Sequence, residues 1–128
     1  MKDVKERLAK YAAMLPMNKS ISIPEAEKRA GAFLEAMAYI SDVKHLLGEE
    51  KIKSTSIHAV TYAEELSKGT DKTMTVNKMN AEASIIYIKA REDVESVDND
   101  ISYLRAMFDT FSAAHVFYRN MAKENNFG

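Results

Sequence analysis

The residues able to do chemistry in this sequence are few and scattered. Its three histidines, His45, His58 and His115, lie far apart, and none stands with another histidine or a carboxylate at a metal-ligand spacing. No HExxH, GxSxG or glycine-rich phosphate loop is present, and with no cysteine there is neither a thiol nucleophile nor a thiolate ligand. Glu95, Asp98 and Asp100 could attract a cation, but "VDNDIS" lacks the spacing and the glycine of a calcium loop. The expectation is therefore a chain that is not an enzyme, with no catalytic residue, no metal site and no cofactor. His115 falls on an apolar seam and reads as a packed residue rather than a proton switch. Tyr87 and Tyr103 could stack on bases if exposed, although their helical spacing suits a core.

The remaining chemical signal is charge. The whole chain carries −1, yet Lys68 to Arg91 holds five basic residues (Lys68, Lys72, Lys78, Lys89, Arg91) against Asp71 and Glu82, a local +3. From Glu92 to Asp109 the balance reverses to −5, with Arg105 alone opposing six carboxylates. One reading is a solvated helix face. The other is a basic zone for an anionic polymer beside an acidic zone that repels it or meets a second protein.

The elements that must position these groups all read as helices. Residues 1–23 make an N-terminal helix and linker: Val4, Leu8, Tyr11, Ala12 and Leu15 recur at three and four, and the pattern stops before Pro16. Residues 24–69 make a helical pair. Ser22 is a candidate N-cap, with Pro24 in the first turn and Glu25 three residues on. Ala26, Ala30, Phe33, Met37, Ile40 and Leu47 form the first stripe, which Gly48 is expected to end. Ile52, Ser56, Ala59, Val60, Ala63 and Leu66 are expected to face inward on the second helix, up to Gly69. Residues 70–75 form a loop, and "GTDKTMT" is expected to be the tip of a helical hairpin.

Residues 76–124 contain neither glycine nor proline, and a strict heptad runs through Val94, Val97, Ile101, Leu104, Phe108, Phe111, His115 and Tyr118. At 1.5 Å per residue a single helix of that length reaches about 72 Å, too long for a compact domain of this size. It must either break, with "SVDND" as the candidate bend, or extend and find its partner in another subunit. Met107, Ala114 and Phe117 widen the apolar face. The eight seam residues are thus candidate oligomerisation contacts. The fold class expected is all-α: a helical hairpin or bundle with a long heptad-patterned C-terminal helix, oligomeric.

Composition agrees with a single helical domain. The chain has 128 residues, 46% hydrophobic and 29% charged, and only four glycines and two prolines. No stretch approaches the ~20 apolar residues of a membrane span, and the opening "MKDVKERLAK" is too charged for a secretory segment. A cytoplasmic location with no membrane partner is expected.

From about Ala30 to Met121 the order of features resembles the UvsY-like recombination mediators of tailed bacteriophages. The resemblance rests on "AMAYISDVKHLL", on a helix ending in "ELSKGTDKTMTVNKM", and on "KAREDVESVDNDISYLRAMFDTFSAA", similar to the family's C-terminal helix. It implies a non-enzymatic accessory protein of the infected bacterial cytoplasm. Such a protein forms a ring-like homo-oligomer, binds single-stranded DNA, helps displace the single-strand-binding protein and loads a RecA-like recombinase. One departure matters. The family's basic pair before the central loop corresponds here to Val60 and Tyr62, which moves the expected DNA contacts to Lys51 and Lys53 before that point and Lys68, Lys72 and Lys78 after it. Because a ring repeats its patch on one polymer, few lysines per subunit suffice. The competing class is a small helical adaptor or inhibitor of viral or bacterial origin that binds protein and never touches nucleic acid. A continuous lysine face favours the first; lysines scattered among carboxylates favour the second.

Overall fold

The start signal at Ser22 sets the first long helix. The Ser22 hydroxyl accepts a hydrogen bond from the Glu25 amide at 3.2 Å, and the Ala26 amide bonds to the Ser22 carbonyl at 2.9 Å. These contacts satisfy donors that a helix N-terminus leaves open. The computed structural model describes residues 1–15, 20–69 and 73–127, those after Lys123 by backbone alone. Among them the regular structure is entirely helical: α1 (Lys2–Ala12), α2 (Ile23–Ser67), α3 (Met74–Ala83) and α4 (Ile85–Phe127).

Three boundaries differ from the sequence reading. Gly48 does not end a helix, and the two helices expected over 24–69 are one. A glycine inside a helix costs only about 1 kcal/mol relative to alanine, and here the strong helix formers "EEKIK" follow it with no proline. The long C-terminal helix breaks at Ser84, whose ψ of 135° is extended, rather than at "SVDND". The acidic run stays helical as Lys51 reaches across to Asp98 at 2.7 Å and removes part of its charge repulsion. Finally α3 begins at Met74, because the Thr73 hydroxyl caps it by accepting from the Val76 amide at 3.3 Å. Most of the expected hairpin tip, Thr70 to Lys72, lies outside the described residues.

The chain divides into two compact units, and both long helices contribute to each. Unit 1 holds residues 1–44 and 103–128. In it α2 and α4 run antiparallel with α1 against them, around Leu8, Phe33, Ile40, Leu104, Phe111 and Tyr118, each fully buried. Phe33 stacks on Tyr118 at 5.9 Å and meets Phe111 at 5.4 Å, and Tyr11 of α1 approaches Phe111 edge-on. Arg29 donates to Glu25 and to the Tyr118 hydroxyl, both at 3.0 Å, and that hydroxyl donates to the Met14 carbonyl at 2.9 Å. The hydrogen bond to Tyr118, then that to Glu25, raises the Arg29 pKa and keeps its guanidinium charged. Cationic stems cover the rim: Arg7 lies 3.9 Å over Tyr39 and Lys5 5.0 Å over Tyr103.

Unit 2, residues 45–102, is built from smaller pieces. Its buried residues are Leu47, Thr61, Ala81, Ala90 and Val97. His58 and Tyr62 of α2 both pack on Tyr87 of α4, with ring centroids at 5.0 and 5.4 Å. A Cβ at Gly69 would collide with the Asn77 side chain, which would have to shift to admit it.

Candidate association and nucleic-acid surfaces

On α2 a 4-3 repeat of buried and half-buried residues runs through Ala26, Ala30, Phe33, Met37, Ile40, Lys44 and Leu47 and, past exposed Lys51, through Ser54, His58, Thr61 and Glu65. Its first half is apolar and its second half largely polar. The inward stripe expected for residues 49–67 is therefore out of phase. Ile52 is 72% exposed and Val60 56%, Ser56, Ala59 and Ala63 are exposed, and Leu66 alone of that set is half-buried. His58 packs on Tyr87 and Thr61 is buried in unit 2, which leaves the aliphatic side chains of this segment on the outside. Exposed Met74, Met79, Ile85 and Ile86 add to the apolar surface of the same unit.

The C-terminal seam is satisfied within the chain. Val97, Leu104, Phe111 and Tyr118 are buried, and Val94, Ile101, Phe108 and His115 are half-buried. In unit 1 it faces the seam of α2: His115 lies with Nδ1 2.8 Å from the Ala30 carbonyl, so that nitrogen carries the proton and donates. Of the eight residues named as oligomerisation contacts, four are thus buried within the chain and four keep part of their surface open.

Among the four described candidate DNA-binding lysines, Lys51 and Lys53 do not share a face of α2. Lys51 is paired with Asp98, and Lys68 bonds Glu65 at 2.8 Å. Lys53, two residues from Lys51, points some 200° around the helix from it. Lys53 and Lys78 are exposed and make no ion pair among the described residues, and Lys72 lies outside them. The other members of the basic zone are also compensated: Lys89 pairs with Asp93, and Arg91 approaches Glu95 at 3.8 Å. The carboxylate of Asp93 raises the Lys89 pKa. The +3 and −5 zones therefore neutralise each other at their border through contacts one helical turn apart. Of the residues at the family's basic pair, Val60 is exposed and Tyr62 packs on Tyr87. Tyr87 and Tyr103 are half-buried under His58, Tyr62 and Lys5, so neither offers a free face for a base.

Glu65 joins the end of α2 to the start of α4. Its carboxyl is held below the ordinary glutamate value, chiefly by the Lys68 hydrogen bond and further by one from Ser84, with burial opposing. Because the folded value is depressed, the stability it supplies is present at neutral pH and lost as pH falls through that value. Thermal melts of the wild type and Glu65→Gln should differ at about pH 7 and converge as pH falls below the ordinary glutamate range.

Among the described residues the three histidines are held apart. His45 meets Glu49 at 3.3 Å in the open, His58 is packed with Nε2 buried and unbonded, and His115 holds a backbone carbonyl. Among the described residues no group of three or more His, Cys, Asp or Glu could hold a metal ion, and no helix is long and apolar enough to cross a membrane. Comparison with protein-family models, curated proteins and solved structures finds no match.

Proposed function

We propose that this chain is a non-enzymatic accessory protein that works by association: a homo-oligomer that binds single-stranded DNA in the bacterial cytoplasm and helps load a RecA-like recombinase past single-strand-binding protein. The phage UvsY-like resemblance supplies the identity of the partners. The observation that carries the reading is the surface of unit 2, where exposed aliphatic side chains lie along α2 and exposed Lys78 on α3 makes no ion pair among the described residues. An assembly repeats Lys78, with Lys72 as the second candidate, along one polymer, so that one or two contacts per subunit sum to a useful affinity.

The second reading, a helical adaptor without nucleic-acid contact, is favoured by a different observation. Lys51 and Lys68 are bonded to carboxylates, as expected of lysines that serve the fold. Titration of a fluorescent single-stranded oligonucleotide at two salt concentrations separates the two. The mediator should bind with log affinity falling against log salt at a slope of ~0.7 per phosphate contact. Changing Lys72 and Lys78 to Glu should abolish that binding with the assembly intact. Absence of binding by the assembled wild type at low salt leaves the adaptor.

A further inference from the structure

Lys53, Ile57, Val60 and Glu64 stand at spacings of four, three and four on α2, which places them within one wedge of about 60° of the helix surface. All four are exposed, Ile57 by 54% and Val60 by 56%, and the wedge is separate from the seam that faces α4. Ser56, Ala59 and Ala63, also exposed, lie beside it and leave room for another helix backbone. The two charges are the informative part. Lys53 and Glu64 are about 16 Å apart along the axis, too far to meet each other, and neither makes a side-chain ion pair among the described residues.

The ridge is a palindrome of chemistry, cation, aliphatic, aliphatic, anion, with its centre between residues 58 and 59. A two-fold axis through that centre, perpendicular to the helix, lays the ridge antiparallel on a copy of itself. Ile57 then meets Val60 of the second copy, and Lys53 meets its Glu64, twice over by symmetry. For antiparallel helices the same flank of each faces the other across this axis, so both charged pairs form together. A parallel arrangement would set lysine on lysine and glutamate on glutamate. We propose that this ridge is a self-complementary contact at which α2 of one copy pairs antiparallel with α2 of a second. The inference rests on the self-association in the reading above and gives it a surface outside the C-terminal seam. It also assigns Lys53 to the second copy's Glu64 rather than to phosphate. One helix pair covers less than the ~800 Å² per partner of a standard interface, so dissociation in the micromolar range is expected.

Sedimentation of the full chain across a concentration series, with circular dichroism of each sample, tests this. The wild type should associate. Val60→Asp should prevent pairing, and Lys53→Glu should weaken it about ten-fold by replacing attraction with repulsion at both symmetric pairs. The swap Lys53→Glu with Glu64→Lys should restore it to within about two-fold. Helicity should be unchanged in every variant, and so should melting at concentrations too low for association, since each altered side chain is exposed. Wild-type association that ignores Val60→Asp and Lys53→Glu, or a swap that fails to restore pairing, overturns this contact alone. A wild type that stays monomeric overturns both the contact and the self-association it rests on. Oligonucleotide binding read on the same samples is independent: its loss from an associating wild type strikes only the nucleic-acid reading.

Discussion

Replacing Phe111 with alanine should lower the unfolding free energy by about 3–5 kcal/mol, the range for deleting a fully buried aromatic ring. Phe111 has no exposed surface and meets Phe33 of α2 and Tyr11 of α1, so its loss opens a cavity where three helices converge. The contact is within one chain. The fall in melting temperature should therefore be the same at low and high protein concentration, whereas loss of an intersubunit seam would give a concentration-dependent shift. Thermal melts at two concentrations about a hundred-fold apart decide between these outcomes.

Gly48 offers the second large effect. If α2 is one helix, Gly48→Pro removes an interior hydrogen bond and sets a ring against the preceding turn, at about 3 kcal/mol or more. A proline at the junction of two helices would be tolerated. In the opposite direction, Gly48→Ala should stabilise by up to about 1 kcal/mol, because a Cβ there meets nothing within 4 Å and the backbone is helical. Denaturant unfolding of the pair measures both signs. Equal stability of wild type and Gly48→Pro would contradict a continuous α2.

How much of this was legible beforehand depended on whether a side chain's chemistry agreed with its place. The seam of α4 was readable because Val97, Leu104 and Phe111 are both apolar and buried, and so was the cap at Ser22, where residue type and role coincide. The second half of α2 misled because the two disagree. Its inner positions carry Ser54, His58, Thr61 and Glu65, while Ile52, Ile57 and Val60 point out. A reader following hydrophobicity chooses the wrong phase. The 4-3 spacing continued from Ala26 through Leu47 was the available signal, and it was lost when Gly48 was taken as a stop. The break at Ser84 had no such signal: "EASII" contains no glycine or proline, and the contact that marks the place, from Ser84 to Glu65, joins residues distant in sequence. The candidate lysines could be named but not sorted, since only the fold reveals that Asp98 and Glu65 claim two of them.

The uneven filling of α4 has a dynamic consequence. Its C-terminal half carries Leu104, Phe111 and Tyr118 against other large rings, while its N-terminal half rests on Ala90, Val97 and the partly polar side of α2. Local opening free energy follows the apolar contact that opening would break. One unbroken helix thus holds two different protection levels for its backbone amides, low near Ala90 and high near Phe111. Amide hydrogen exchange should accordingly run faster over residues 85–97 than over 104–118. Reshaping of unit 2 around a partner would then draw on fluctuations it already makes, while unit 1 keeps the molecule folded.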